Sequence, residues 1–133
     1  MSEDPQADGP DVVELNVPAS SVYVAILRSV TAGLAARCDL TLDEIEDLRI
    51  AVDEACALLL PLAEVGGDLR AAFTLGTGQL TFQASVDART DVELMREGFG
   101  WTVLEALAST VKTEVDGATT TITLVKRREP ADQ

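Results

Sequence analysis

A two-layer α/β sandwich, with a mixed and mostly antiparallel sheet covered on one face by three helices, is the fold this sequence predicts. Three observations predict it. The segments at 23–38, 41–60 and 98–111 repeat their apolar residues at spacings of three and four, the period of a helix with one buried stripe. Those at 69–75 and 80–86 alternate apolar and polar residues, the period of a strand with one apolar face. The order is strand, helix, helix, strand, strand, helix, strand, strand, which leaves a one-sided sheet needing cover and three helices to supply it.

The first strand is read at 11–17, valine-rich and stopped by Pro18. After a Ser20-Ser21 cap, Tyr23, Leu27, Val30, Leu34 and Cys38 define the first helix and its expected buried face. Gly33 inside it costs about 1 kcal/mol relative to alanine, which points to close packing against a neighbour. The helix at 41–60 is the most sharply written, with Thr41 and Glu44 forming a capping box and Pro61 closing it. Its stripe is Ile45, Leu48, Val52, Ala55 and Leu59. Gly66-Gly67 is a turn, and Gly76-Thr77-Gly78 joins the two alternating segments as an antiparallel hairpin. Residues 88–97 are polar and without period, hence a loop. Gly98-Phe-Gly100 opens a third helix with Val103, Leu104, Leu107, Ala108 and Val111 on one face. Residues 112–115, an Asp116-Gly117 turn and 121–125 make a closing hairpin, beyond which Lys126 to Pro130 form a charged end.

At 133 residues the chain holds one domain, expected at 11–127 between an acidic, disordered tail at 1–10 and a C-terminal tail at 128–133. Residues 1–10 have no apolar core and are not a secretory signal. The hydrophobic fraction is 47% with no uninterrupted apolar run of the ~18–20 residues a membrane span needs, so no membrane partner is expected. Cys38 and Cys56 fall inside helical patterns as small apolar residues, which fits a reducing cytoplasm. The absence of histidine excludes Ser-His catalysis, histidine-bearing zinc sites and a phospho-accepting histidine. A net charge of −13 repels phosphate backbones and attracts basic partners, and only 4% aromatic residues leaves few stacking platforms, so direct nucleic-acid binding is not expected.

Three segments carry a resemblance. Asp39-Leu-Thr-Leu-Asp-Glu44 leading into Leu48-Arg-Ile-Ala-Val-Asp-Glu-Ala-Cys56 is similar to the N-box helix of the RsbW-type anti-sigma-factor serine kinases, in the histidine-kinase-like ATPase superfamily. Gly98-Phe-Gly100 with Val103-Leu-Glu-Ala-Leu-Ala108 resembles the family's second glycine box, and the ending from Asp116 to Lys126 also matches in order and spacing. The resemblance implies a histidine-kinase-like ATPase fold, with ATP and Mg²⁺ as cofactors. Glu54 falls at the general-base position, while Asp87, Gly98, Gly100 and Thr120 fall at nucleotide positions. It also implies an alternative, stress-response type sigma factor as partner, an anti-anti-sigma factor of the STAS type as antagonist, and a homodimer. Arg28 falls on an arginine that resembling proteins use to contact both partners.

The chain departs from the family at the chemistry. The family's magnesium-holding Asn, four residues after the base, is here Leu58, which has no oxygen. Two glycines of the first glycine box are here Arg89 and Asp91, where a carboxylate would repel phosphates. No firm cofactor and no metal ligand follow from the residues themselves. These departures favour a binding module that sequesters a sigma factor over an active serine kinase. Retention of Glu54, Asp87, Gly98 and Gly100 keeps the kinase reading open, and an adaptor built on the same fold is a third.

Overall fold

The computed structural model describes residues 10–130, so the expected disordered tail, apart from Pro10, and residues 131–133 lie outside the described residues. Five strands and three helices follow in the expected order: β1 (Asp11–Pro18), α1 (Val24–Arg37), α2 (Leu42–Leu59), β2 (Asp68–Gly76), β3 (Gln79–Asp87), α3 (Phe99–Leu107), β4 (Thr110–Asp116) and β5 (Thr119–Arg127). The sheet runs β1-β2-β3-β5-β4, and each of its four pairings is antiparallel, so the expected mixed component is absent among the described residues. β2 and β3 meet through a two-residue turn, Thr77-Gly78, in which Gly78 takes φ +71°, a left-handed conformation that costs other residues their Cβ clearance.

One face of the sheet is buried. Leu69, Ala71 and Phe73 of β2, Leu80, Phe82, Ala84 and Val86 of β3, and Ile122 and Leu124 of β5 point beneath the helices. Phe73 and Phe82 sit opposite one another across the β2–β3 ladder with ring centroids 5.1 Å apart. The other face of the sheet carries small polar side chains such as Thr74, Thr81, Gln83 and Thr123.

Helix α2 lies at the centre of the covering layer, packed against α1 on one side and α3 on the other. The capping box at its start is formed: the Thr41 hydroxyl accepts from the Glu44 amide at 3.2 Å, and Glu44 Oε1 accepts from the Thr41 amide at 2.8 Å. Leu48, Val52, Ala55 and Leu59 are fully buried as the stripe requires, Ile45 is half-buried, and Ala51 and Cys56 widen the stripe. A single 3₁₀ turn at Leu60–Leu62 ends the helix at Pro61.

Three expectations are corrected. The buried face of α1 is Val24, Leu27, Thr31 and Ala35, with Cys38 just beyond, while Tyr23, Val30 and Leu34 are half-buried at its margins. Gly33 is exposed, and a Cβ added there would meet nothing within 4 Å, so it does not mark close packing. Helix α3 stops at Leu107, and Val111 belongs to β4 instead.

Nor does the whole charged end lie beyond the last strand, since Lys126 and Arg127 are part of β5. Lys126 is buried inside β5, donating to the Leu107 carbonyl at 2.7 Å and facing Asp47 at 3.3 Å. Arg128 pairs with Asp39 at 3.2 Å, and the Glu129 amide donates to Glu44 Oε2 at 2.6 Å. Hydrogen bonds therefore fasten the residues after β5 to the start of α2 and to the α1–α2 turn.

Candidate functional site

The central helix decides where the expected catalytic carboxylate stands. Glu54 is half-buried on the side of α2 that faces the start of α3, and there it meets Gly100: a Cβ built on that glycine would stand 2.8 Å from Glu54 Oε1. Leu58, one helical turn further on, would be 3.5 Å from the same Cβ through its Cδ2. Gly98 caps α3 at φ +94°, which favours glycine, and no side chain caps that helix end. Two of the four nucleotide positions, Gly98 and Gly100, are thus brought together with Glu54 where α3 begins.

Asp87 and Thr120 are held elsewhere, by the register of β3 against β5. Asp87 lies opposite Thr119, and its Oδ1 accepts from the Thr119 hydroxyl at 2.9 Å and from Arg70 at 3.2 Å. Those two hydrogen bonds, the Thr119 one first, and then the Arg70 charge hold this exposed carboxyl below the ordinary aspartate value. Thr120 is paired with Val86, so its side chain turns to the helix side and is buried.

After β3 the chain is stitched to the end of α2. Ala63 bridges Ala88, the Arg89 amide donates to the Leu62 carbonyl at 2.8 Å, and the Arg89 guanidinium donates to the Pro61 carbonyl at 2.9 Å. Residues 88–98 then cross towards α3 as the expected loop, and Arg96 reaches back to the Thr113 hydroxyl on β4 at 3.3 Å. A cleft of about 580 Å³ lies between this loop and the β4–β5 hairpin. Of the nucleotide positions only Thr120 lines it; Glu54, Asp87, Gly98 and Gly100 do not.

Two positions depart from what the resemblance implies for a magnesium nucleotide. Leu58 packs towards Gly100 with no oxygen to offer a cation. Arg89, at a glycine-box position, is bound to the end of α2.

Arg28 stands apart on the outer side of α1. Its guanidinium is half-exposed and meets Asp53 of α2 at 3.6 Å through Nε, beyond hydrogen-bond distance. No local pattern marks Asp53 for this place, since the two residues are joined only by helix packing. Arg89 and Arg96 were likewise missed as tethers of the loop, because their partners are a backbone carbonyl and a strand hydroxyl distant in the chain.

An antiparallel sheet under three helices, with the carboxylate of the central helix facing a glycine-opened helix entry, defines the histidine-kinase-like ATPase class. A crystal structure of the RsbU and RsbW domains of a Mycobacterium tuberculosis protein superposes with a TM-score of 0.69 over 91% of this chain and 34% of that one, at 18% identity. An anti-sigma-F factor RsbW of Mycobacterium tuberculosis is 35% identical over 127 residues, spanning 90% of this chain and 76% of that protein. A serine-protein kinase RsbW of Halalkalibacterium halodurans is 33% identical over 93 residues, 68% of this chain and 57% of that protein. No family model matches the chain. The chain belongs to the RsbW family of anti-sigma factors and serine-protein kinases.

Proposed function

We propose that the protein is an anti-sigma factor, which sequesters an alternative sigma factor and surrenders it to an anti-anti-sigma partner of the STAS type. The observation that carries this reading is the 35% identity with an anti-sigma-F factor along 127 residues. Supporting it, the nucleotide positions are poorly furnished: Leu58 replaces a magnesium ligand and Arg89 a glycine. Sequestration needs no phosphate transfer, and it is the activity these residues still serve. Arg28 is the partner contact in this reading, its two terminal Nη groups left to fork onto a carboxylate while Asp53 stands by Nε.

The kinase reading keeps one favourable observation, Glu54 facing the glycine entry of α3, together with relatives named serine-protein kinase. One experiment separates them. The native protein is captured from cytoplasm and its companions identified, and the complex is then incubated with labelled Mg-ATP. A sigma factor among the companions with no labelled serine on any of them is the expected result. Capture without a sigma factor would remove the proposal, and a labelled companion would restore the kinase.

A further inference from the structure

Sequestration of a partner makes no use of the cleft between the 88–98 loop and the β4–β5 hairpin, although Thr120 and Arg89, at positions the resemblance assigns to nucleotide, line it. Its volume of about 580 Å³ is that of a small-molecule pocket. Val92, Leu94 and Val115 give it apolar walls, and Val115 is left 69% exposed there, an uncommon state for a large apolar residue on the buried side of a sheet.

Three polar groups address the same space. Arg89 and Arg96, from the two ends of the loop, line it, yet among the described residues neither has a carboxylate within ion-pair distance in a chain of 23 acidic residues. Each donates to a neutral acceptor, the Pro61 carbonyl and the Thr113 hydroxyl, which leaves it further N–H groups to donate. Thr120 is only 4% exposed and lines the cleft, and its hydroxyl has no hydrogen-bond partner among the described residues. Because no side-chain oxygen among the described residues is both sealed from solvent and unpartnered, that hydroxyl keeps some exposure where Thr120 lines the cleft. A hydroxyl so deeply placed gains free energy from a ligand that bonds it.

Charge and donors together narrow the ligand. Glu93 and Glu114 also line the cleft and bring its formal charge to zero, so it has no surplus charge to hold a triphosphate, while the two guanidinium groups can still meet a single carboxylate. We propose that this cleft binds a small organic acid, a carboxylate on an apolar body, without a metal ion. The carboxylate lies against the free guanidinium edges of Arg89 and Arg96 with the Thr120 hydroxyl donating to it, and the body covers Val92, Leu94 and Val115.

The test is a fluorescence titration of the full chain with 8-anilinonaphthalene-1-sulfonate, an apolar monoanion, followed by displacement. Saturable binding of one equivalent is expected, displaced by hexanoate but not by hexylamine and unaltered by EDTA. Arg96→Ala and the isosteric Thr120→Val should each weaken it at least fivefold with unchanged circular dichroism, whereas Arg127→Ala should leave it as it was. Failure of the probe to saturate, equal binding by Arg96→Ala and Thr120→Val, or displacement by Mg-ATP alone would overturn the assignment. None of these results bears on capture of a sigma factor, so the two proposals stand or fall separately.

Discussion

Two side chains show how local surroundings set chemistry here. Arg28 contributes little to the fold, since a half-exposed ion pair is worth at most about 1 kcal/mol. Within a partner interface the same guanidinium would be desolvated, and losing it typically costs about 2–5 kcal/mol, mostly in dissociation rate. Arg28→Ala is therefore expected to keep its melting temperature and lose at least about tenfold in sigma-factor affinity, which is ~1.4 kcal/mol. Unchanged affinity, measured by surface plasmon resonance, would move the interface elsewhere. Cys56 behaves oppositely, being wholly enclosed. Burial, with Asp53 adding to it, pushes its thiol from the ordinary 9.0 up to about 12. Between those values the unfolded chain has lost a proton that the folded chain keeps. The Cys56 contribution is thus fully present below pH 9 and declines as pH rises, by about 1.4 kcal/mol per pH unit. Urea melts from pH 8 to 10.5 should fall more steeply for the wild type than for Cys56→Ala, and parallel curves would count against the buried thiol as the source.

Helix α2 was legible in the sequence because everything that fixes it is local. Its cap spans three residues, and its stripe alternates with charged positions that cannot be buried, so the spacing admits one face only. Leu48→Asp should unfold the protein, an unpaired carboxylate at a fully buried site being too costly to keep, and a wild-type thermal transition would refute that. Helix α1 was less legible because it is apolar almost all round: Val24, Ala25, Ile26, Leu27, Val30, Ala32 and Leu34 offer competing stripes. The deciding residue was Thr31, which looks polar but is fully buried, its hydroxyl bonded to the Leu27 carbonyl at 2.7 Å. At the candidate site, sequence located the helix entry at Gly98 and Gly100 and the carboxylate that meets it. It did not show the tethers of Arg89 and Arg96 or the partner of Asp87, which depend on strand register and on where a loop returns. The junction of α2 with α3 also sets the nucleotide prediction. With Leu58 and Glu54 against Gly100, Mg-ATP should bind no tighter than about millimolar, only ~4 kcal/mol, and micromolar affinity by calorimetry would contradict it.

For the molecule as a whole, a net charge of −13 means that a basic partner is drawn in from a distance. Association with the sigma factor should slow markedly between ~0.05 and ~0.5 M salt while dissociation changes less, since screening shortens the field's reach to a few ångströms. A salt-independent association rate would deny long-range attraction any part. Among the described residues no helix is long and apolar enough to cross a membrane. The strand order carries a different consequence. Strand β5 is the last of the five in the chain, yet it lies inside the sheet between β3 and β4. While the ribosome is still making residues 119–127, β3 has no neighbour on that side, and the apolar residues Leu80, Phe82, Ala84 and Val86 have only part of their cover. A nascent chain stalled at that point presents an open strand edge, the element most prone to pair with a stranger. Closure must wait for the final strand to slot in, so messages truncated before it should yield aggregates and not a smaller folded domain.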